Sequence, residues 1–429
     1  MLVIKNGKLI DPISSLIKEN KFLFIENNQI KDFSEEEIDL NNYKIIDASN
    51  KWIIPGLIDI HCHLREPGFT HKETIETGSE SALEGGFTTI CPMANTMPVI
   101  DNPLMLEYIN LKAEKLSKIQ ILQHSALTKE LKGQEIVEMS KMLDYGAVAF
   151  SDDGQPYENL FLLRTALQHA LDLNCVIISH SEDKKLSANG SVRLNKYAIQ
   201  NGFKGIPSSA ESSAIAREIE VLREFPKARL HFAHISTKAS VELIRKAKND
   251  GLAVSADTTP HHIVLIESAI EKYYTNAKMN PPLGNEEDRI ALIEGLRDGT
   301  IDAIATDHAP HSKKEKSESM DLAPFGICGF ETAFSLTMTE LLKNNFSILK
   351  LIELFTLNPL KCLKIKNRDI SLGIGSEANI TIIDPNFEWI FSKDKTSSKA
   401  QNSPFYDWKF KGKPIYTIYK GKLRQSNYF

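Results

Sequence analysis

Eight short apolar segments with strand character recur between residues 53 and 306, and each is followed by a segment with the apolar spacing of a helix. The predicted strands are residues 53–63, 87–91, 119–124, 147–150, 175–180, 230–234, 252–256 and 301–306. Eight strands that alternate with helices favour a closed parallel barrel over an open sheet. An open doubly wound sheet is the alternative, but no Gly-x-Gly-x-x-Gly follows any strand, which removes its usual nucleotide chemistry. A capping box at Ser208-Ser-Ala-Glu211 predicts the start of one helix.

Both ends of the chain lack this alternation. Residues 1–52 contain short strand candidates separated by turn signals such as Asn6-Gly7 and Asp11-Pro12, with one weak acidic patch at 34–39. From about Ser371, two further strand candidates cover 373–385 and 414–421. We therefore predict an α/β protein with a TIM-like (β/α)8 barrel at residues 55–367. A small β-sandwich domain, built from residues 1–54 plus 368–429, is predicted beside it.

Composition narrows the class of protein. The 429 residues are 42% hydrophobic and 25% charged with a net charge of −5, which gives no reason to expect a nucleic acid or an anionic membrane as partner. The five cysteines are scattered and odd in number, which favours buried thiols in a reducing compartment over a disulfide framework. The N-terminus lacks the layout of a signal peptide, and no apolar run is long enough to cross a bilayer. We expect a cytoplasmic protein.

Histidine and aspartate residues follow the predicted strands at their carboxyl ends, which form the working face of such a barrel. His61 and His63 end the first strand and point the same way, because side chains alternate along a strand. The others are Asp152 and Asp153, His180, His234 and Asp307, after the fourth, fifth, sixth and eighth strands. One such residue is typical of a polar loop mouth, but the set predicts a metal site. Nitrogen and carboxylate donors without thiolate suit Zn²⁺, with Mn²⁺, Co²⁺ and Fe²⁺ as alternatives, and their number favours two ions bridged by a carboxylate.

Other polar residues near the same rim are candidates for binding a ligand. Arg65 is suited to a carboxylate, which a guanidinium grips through two parallel hydrogen bonds. Asn95, Asn280, His308 and His311 also follow predicted strands. The charged run at 311–319 is by default a solvated loop, and its place after the last barrel strand makes it a candidate lid. The remaining histidines are predicted to be structural: His71, His124, His169, His231, His261 and His262.

Several of these segments carry distinctive motifs. They are Asp59-Ile-His-Cys-His-Leu-Arg-Glu-Pro-Gly68, Gly85-Gly-Phe-Thr-Thr89, Ser151-Asp-Asp-Gly154, Pro281-Pro-Leu283, Ala305-Thr-Asp-His-Ala-Pro-His311 and Pro324-Phe-Gly326. Together they resemble the first-class (type I) bacterial dihydroorotases of the amidohydrolase superfamily, over nearly the whole chain. Two positions depart from the family pattern, which usually has proline where this chain has Ala94 and arginine where it has Gly284.

The resemblance implies a set of site residues. His61, His63 and Asp307 would hold one zinc ion and His180 and His234 a second, with Asp153 as the bridge. Many relatives bridge their metals with a carbamylated lysine, so an aspartate in that role argues against hydantoinase and allantoinase. The residues implied to bind substrate are His63, Arg65, Asn95, Asn280, His311, Phe325 and Gly326. Arg65, Asn95 and His311 would bind the substrate carboxylate, whereas Asn280 and the backbone at 325–326 would meet the pyrimidine ring.

The implied reaction is the zinc-dependent, reversible closure of N-carbamoyl-L-aspartate to L-dihydroorotate in de novo pyrimidine (UMP) biosynthesis. In ring opening, Asp307 would pass the proton to the leaving nitrogen. Residue chemistry alone supports metal-dependent hydrolysis of a cyclic amide that bears a carboxylate. One alternative is another cyclic amidase, of hydantoinase or allantoinase type. A second is a catalytically inactive homologue that assembles with aspartate transcarbamoylase, although its expected mark, loss of metal ligands, is absent. A homodimer is expected, and dependence of activity on a transcarbamoylase partner is left open.

Overall fold

A computed structural model describes residues 2–19, 22–34, 43–365 and 370–429. Its central body is a ring of eight strands: Leu57–Cys62, Phe87–Pro92, Gln120–Ile121, Phe150–Ser151, Val176–Ser179, Arg229–Phe232, Val254–Thr258 and Ala303–Ile304. Strands 1 to 3 and strands 4 to 8 pair in parallel in sequence order. Parallel bridges from Ser125 to Phe150 and from Cys62 to His308 close the ring at its two remaining gaps. The predicted barrel is therefore confirmed.

Helices surround the barrel and connect its strands. They are Ile75–Glu84, Pro103–Leu116, Met139–Asp144, Leu160–Leu173, Lys184–Ser187, Lys196–Gln200, Ser209–Leu222, Lys238–Asn249, Pro260–Val264, Ala269–Tyr273, Glu286–Asp298, Lys313–Lys316, Phe330–Lys343, Ile348–Glu353 and Leu357–Leu363. Short 3-10 turns cover Lys129–Leu131 and Tyr274–Ala277, and a small parallel pair joins Val192–Arg193 to Gly205–Ile206. Among the described residues, no helix has both the length and the apolar character needed to cross a membrane.

The helix Ser209–Leu222 starts where the sequence predicts, but the predicted capping box is wrong. Within the described ranges, Ser208 forms no side-chain cap bond. The Glu211 carboxylate instead accepts hydrogen bonds from the N–H groups of Ser236 and Thr237, after the sixth barrel strand. The partner of Glu211 is therefore a distant loop, because the buried N–H groups of that loop also need acceptors.

Two sheets drawn from both ends of the chain form the β-sandwich, as predicted. The first contains, in spatial order, Gln29–Ser34, Phe22–Glu26, Leu2–Lys5 and Lys44–Asp47. The second contains Lys422–Gln425, Lys409–Tyr419, Ile380–Ile390, Trp52–Pro55, Lys8–Asp11 and Leu16–Glu19. Side chains of both sheets share one apolar core, to which Ile4, Leu23 and Ile380 contribute. Most of the acidic patch at 34–39 and the boundary at 367/368 lie outside the described residues, and the domain boundaries stay a prediction.

The segment predicted as one strand from residue 53 to 63 is two strands. Trp52–Pro55 pairs with Ile380–Ile390 in the sandwich, whereas Leu57–Cys62 is the first barrel strand. Between them, the Gly56 N–H donates to the Asn379 carbonyl, and a Cβ at Gly56 would overlap the Thr88 side chain. Only glycine fits this approach of backbone to side chain, so the chain passes from one sheet to the other without a loop.

A long connection between two sandwich strands returns to the barrel. Residues 391–408 join Ile380–Ile390 to Lys409–Tyr419, and we call them the 391–408 connection. Its Phe391 and Phe405 are buried in an apolar cluster with Met279, Leu283 and Met320, which belong to the segments after the seventh and eighth barrel strands. The connection is therefore anchored beside the carboxyl end of the barrel.

Candidate metal centre

The six predicted metal ligands meet at the carboxyl end of the barrel. All are at least 93% buried: His61, His63, Asp153, His180, His234 and Asp307. Backbone bonds hold their strands in register, since the Asp307 N–H donates to the His61 carbonyl and the His63 N–H to that of His308. The ring centroids of His61 and His234 are 4.9 Å apart, and those of His180 and His234 are 4.7 Å apart. Residues far apart in the chain thus share one buried space.

One group of donor atoms lies around a candidate metal position at the ends of the first and eighth strands. His61 Nε2 lies 3.3 Å from Asp153 Oδ1 and 3.7 Å from Asp307 Oδ1. His63 Nε2 lies 3.1 Å from Asp307 Oδ1 and 3.6 Å from Asp153 Oδ2. These two imidazoles and two carboxylates form a compact set of nitrogen and oxygen donors.

A second group lies beside it. His180 Nδ1 and His234 Nε2 are 3.0 Å apart, and each is 3.7 Å from Asp153 Oδ1. Ligand atoms within 4.8 Å of one another form two groups, His61–His63–Asp153 and Asp153–His180–His234, and of the six residues Asp153 alone is in both. Asp307 joins the first group through its contacts with His61 and His63. The arrangement matches a carboxylate shared between two metal positions.

The spacing of the donors fits a bound ion. Metal–nitrogen and metal–oxygen bonds of about 2.0–2.2 Å in a tetrahedral shell put neighbouring donors roughly 3.3–3.6 Å apart. The separations here are 3.0 to 3.7 Å. Both ring nitrogens of His61 are buried without a hydrogen-bond partner in the described part of the chain. A buried polar atom without a partner is costly, and a metal bond removes that cost at Nε2. The residues therefore fit a metal ion.

The carboxylate and the imidazoles of this centre shift one another's pKa values. Burial acts to raise the pKa of Asp153, but the neighbouring His61, His180 and His234 hold it well below its usual value. Burial acts to lower the pKa values of His61 and His180. Asp153 nevertheless raises the pKa of His61 to about 9, and Asp153 together with Glu182 raises that of His180 to about 10. In the metal-free protein, protons on these imidazoles offset the negative charge that an ion would otherwise neutralise.

Two buried aspartates that sequence reasoning missed hold the backbone of the ligands. Asp257 Oδ1 accepts from the His234 N–H at 2.7 Å, at a residue with a φ of +40°. Asp59 Oδ1 accepts from the Thr306 N–H at 2.8 Å, beside Asp307. Both aspartates lie inside barrel strands and are at most 1% exposed, and a carboxylate inside a predicted barrel strand is the signal that could have identified them.

Asn95 lies between ligands of the first group. Its Oδ1 is 3.0 Å from His63 Nδ1, and its Nδ2 donates to Asp153 Oδ2 at 3.1 Å. Because Asn95 Oδ1 can only accept, His63 Nδ1 donates to it, and Nε2, which lies 3.1 Å from Asp307 Oδ1, is the ring nitrogen left to face a metal ion. Asn95 therefore sets the tautomer of a candidate ligand, a role that its sequence position did not suggest.

A cationic pocket borders the metal centre. The Arg65 Nε donates to the Pro310 carbonyl at 3.1 Å, and Arg65 Nη2 lies 3.3 Å from His311 Nε2. The imidazole of His311 donates from Nε2 to the Phe325 carbonyl at 2.7 Å, and its Nδ1 accepts from Lys72 Nζ at 3.2 Å. Burial, together with Arg65 and Lys72, lowers the pKa of His311, so its imidazole is neutral. Lys72, which was missed, is ion-paired with Glu315 at 2.8 Å, so Arg65 is the cation that suits an anionic group.

The other predicted ligand-binding residues are also near this space. Asn280 Nδ2 donates to Glu182 Oε2 at 3.1 Å and lies 3.2 Å from His180 Nε2, which places Asn280 against the second group. Glu182, also missed, lies 3.5 Å from the same His180 nitrogen. Gly326 already uses both backbone polar groups within the protein, since its N–H donates to Lys278 and its carbonyl accepts from Asn402 and Lys316. Contact of residues 325–326 with a ligand stays a prediction.

Some rim candidates face away from the centre. The Asp152 carboxylate accepts from the Leu127 and Thr128 N–H groups at 2.8 and 2.9 Å. His308 stacks on Phe330 with ring centroids 4.1 Å apart. His71, His124, His169, His231, His261 and His262 belong to neither group of ligand atoms. Their structural role stays a prediction.

Comparison with known proteins identifies the family. A family model described as "Dihydro-orotase-like" matches residues 50–240. The dihydroorotase of Caldanaerobacter subterraneus subsp. tengcongensis is 43% identical over 424 residues, which cover 99% of this chain and 97% of that protein. The dihydroorotase of Endomicrobium trichonymphae is 44% identical over 425 residues, which cover 98% of this chain and 99% of that protein. The chain belongs to the dihydroorotase family.

Solved structures similar to this dihydroorotase family member include hydantoinases. The L-hydantoinase (dihydropyrimidinase) from Arthrobacter aurescens has a TM-score of 0.87 and 25% identity, with 100% of this chain and 96% of that chain covered. The D-hydantoinase (dihydropyrimidinase) from Thermus sp. has a TM-score of 0.83 and 23% identity, with the same coverage. The likeness to the Thermus enzyme shows the fold alone, and the sequence is much nearer to the dihydroorotases.

The two departures from the usual dihydroorotase pattern have local structural settings. Ala94 is buried, and its carbonyl accepts from the Thr96 and Ile100 N–H groups. A Cβ at Gly284 would lie 2.6 Å from the Asp288 Cβ, so a side chain there requires Asp288 to move. Asp288 takes part in the capping box with Asn285 that begins the helix Glu286–Asp298, which ties the glycine to the start of this helix.

Proposed function

We propose that this protein is a first-class dihydroorotase of the amidohydrolase superfamily. It closes N-carbamoyl-L-aspartate to L-dihydroorotate, reversibly, in de novo UMP biosynthesis. The identity of 43–44% to dihydroorotases over the whole chain supports this reaction. The observation that carries the proposal is Asp153, which faces both pairs of histidines beside a cationic pocket. Such a centre suits a cyclic amide that bears a carboxylate.

The donor set supports zinc as the metal, with two ions per subunit. His61, His63 and Asp307 would hold one and His180 and His234 the other, with Asp153 shared between them; a single ion is the alternative. When bound, zinc lowers the pKa of coordinated water to about 7 and polarises the amide carbonyl of the substrate. Nitrogen and carboxylate donors without thiolate support this metal over softer ions.

The protein's own side chains bind the substrate and transfer the proton. The Nη groups of Arg65 bind the substrate carboxylate, with Asn95 and His311 lining its position; the ring N–H of neutral His311 is donated to the Phe325 carbonyl. Arg65 is held for this by its bond to the Pro310 carbonyl. Asn280 and the backbone of Phe325 and Gly326 bind the pyrimidine ring. Because His311 is neutral and Lys72 is ion-paired with Glu315 at 2.8 Å, Arg65 supplies the positive charge that binds the carboxylate.

Asp307 is the catalytic residue in this proposal. His63 and His61 hold its pKa below the usual value even though burial acts to raise it, so its carboxylate is ionised at neutral pH. An ionised carboxylate beside the reacting amide can take a proton from the attacking water and give it to the leaving ring nitrogen. In ring closure the same carboxylate moves the proton in the opposite direction.

We place the protein in the cytoplasm, since its five cysteines are buried and form no disulfide in the structure as described. A homodimer and an association with aspartate transcarbamoylase stay predictions.

Purified protein is assayed with L-dihydroorotate, hydantoin and allantoin, before and after chelation and after zinc is restored. We expect turnover of dihydroorotate alone, loss of activity on chelation and recovery with zinc, with a metal content near two ions per subunit. The structural likeness to hydantoinases makes hydantoin the relevant competitor. Faster turnover of hydantoin than of dihydroorotate, or activity that survives complete metal removal, would contradict the proposal.

A further inference from the structure

A side chain from the 391–408 connection joins two segments at the rim of the cationic pocket. Asn402 is 3% exposed, and its Oδ1 accepts from the His311 N–H at 2.9 Å. Its Nδ2 donates to the carbonyls of Ala309 and Gly326, both at 3.0 Å. A residue of the 391–408 connection thus joins the segment at 309–311 to Gly326.

The same glycine carbonyl has a second donor. Lys316 Nζ donates to the Gly326 carbonyl at 3.1 Å and to the Pro324 carbonyl at 3.0 Å, and it lies 3.4 Å from the Lys278 carbonyl. Burying an ammonium group is costly unless hydrogen bonds satisfy it, and three carbonyls serve its three N–H groups. Lys316 is 6% exposed, although it lies in the run that the sequence predicts as a solvated loop.

Because of the backbone conformation of Gly326, these two donors determine the orientation of its peptide group. Its φ is +133°, and a Cβ there would lie 2.6 Å from the Ala309 Cβ, so only glycine fits. Glycine has little backbone preference of its own, and its partners must therefore fix the direction of its peptide. The preceding carbonyl, of Phe325, accepts from the His311 ring. Asn402, His311, Phe325 and Gly326 thus form a closed ring of contacts.

We propose that Asn402 and Lys316 are positioning residues, which fix the Gly326 peptide and so hold His311 and Phe325 in place at the cationic pocket. The kinetic consequence rests on the proposed function, because His311 and residues 325–326 bind the substrate in it. The 391–408 connection, which joins two sandwich strands, then contributes to substrate binding at the barrel mouth through His311 and Phe325.

Docking of the connection does not depend on the Asn402 side chain alone. The Asn402 carbonyl accepts from the Cys328 N–H at 2.8 Å. Ser398 Oγ and the Lys399 N–H both donate to the Glu73 carboxylate. Phe391 and Phe405 remain buried in their apolar cluster. An Asn402 variant should therefore keep the connection in place and change the pocket.

Asn402→Asp tests the role of the amide. Aspartate keeps the size and the acceptor Oδ1, but it replaces the NH₂ donor by an oxygen that faces two carbonyl oxygens. Gln401→Glu makes the same chemical change on the neighbouring exposed residue and is the matched control. We expect the KM for dihydroorotate to rise at least tenfold in Asn402→Asp, with kcat within threefold and zinc content unchanged, and to stay within twofold in Gln401→Glu. If the aspartate variant does not fold, Asn402→Ser, which lacks the charge, replaces it.

Lys316→Met tests the second donor to the Gly326 carbonyl. Lys314 is exposed, and Lys314→Met is the matched control. Because Asn402 and Lys316 act on the same carbonyl, their effects should not multiply. We expect the KM of the double variant to be within threefold of the larger single effect. Multiplying effects, or an unchanged KM in Asn402→Asp, overturn the proposal.

Hydrogen–deuterium exchange separates this proposal from the proposed function, since it needs no substrate. We expect faster exchange of the His311 and Gly326 amides in Asn402→Asp than in the wild type or Gln401→Glu. Unchanged exchange at both amides overturns the positioning role, even if dihydroorotate is turned over. A wild type that does not turn over dihydroorotate refutes the proposed function, and faster exchange in the variant still supports the positioning role.

Discussion

Replacing Asp153 by asparagine removes the carboxylate shared by the two groups of ligands while keeping its shape. Its oxygens lie 3.3 to 3.7 Å from nitrogens of the four histidines. At an effective dielectric constant of about 20, the carboxylate and one unit of positive charge held among these nitrogens interact by about 5 kcal/mol, and we use this as the order of the attraction that asparagine removes. Part of this loss is offset, because His61 and His180 also lose the partner that raises their pKa values and so hold competing protons less tightly.

We expect a net loss of about 3 kcal/mol in zinc binding, which is roughly a hundredfold in the dissociation constant. The assay is competition for zinc with a chromophoric chelator at pH 7.5, followed by measurement of dihydroorotate turnover. Activity should fall at least as much as zinc affinity, because the same carboxylate orients both groups of ligands. Binding of two zinc ions with wild-type affinity by Asp153→Asn would refute the shared carboxylate.

The neighbouring residue provides the control. Asp152 is also buried, but its carboxylate accepts from the Leu127 and Thr128 N–H groups and takes no part in either ligand group. Asp152→Asn weakens charge-assisted hydrogen bonds, so we expect a loss of about 1–3 kcal/mol in the free energy of unfolding. Zinc affinity should stay within threefold of the wild type. Equal loss of zinc in both variants would mean that the effect is general destabilisation.

Three further predictions concern the same centre. Asp307→Asn should lower kcat at least 100-fold while the His180–His234 position still binds zinc, as measured by turnover and metal analysis. Arg65→Met should raise the KM for dihydroorotate by roughly 10- to 150-fold, the equivalent of a charge-assisted bond worth about 1.5–3 kcal/mol, with a smaller change in kcat. Since His61 and His180 have pKa values of about 9 and 10, both carry protons at pH 7, so zinc uptake should release protons and weaken as the pH falls. Calorimetry in buffers of different ionisation enthalpy measures that release, and its absence would contradict the raised pKa values.

The barrel and the convergence of the candidate ligands could be predicted because both follow from local patterns. Strand–helix alternation indicates a parallel barrel, and the carboxyl ends of its strands must meet at one face. The six candidate ligands all lie at the end of a predicted strand or within three residues after it: His61, His63, Asp153, His180, His234 and Asp307. Their convergence therefore required no knowledge of the loops.

The residues that sequence reasoning missed act across long distances in the chain. Asn402 contacts His311, 91 positions away, and belongs to a connection with no strand or helix pattern to place it. Glu211 fits a capping box locally, but its carboxylate serves a distant loop. Lys316 lies in a charged run, yet three carbonyls surround it. In each case a buried backbone group determines the partner, and local sequence does not record where such groups lie.

The junction at Gly56 limits how this protein can be re-engineered. The strand before the glycine belongs to the sandwich. The strand after it contains His61 and leads directly to His63. Replacing the sandwich by that of another protein would require a junction inside this continuous segment, within a few residues of the candidate metal centre. Chimaeras should therefore retain residues 52–63 as a block and exchange material elsewhere, and the two bodies are expected to be inherited as a pair.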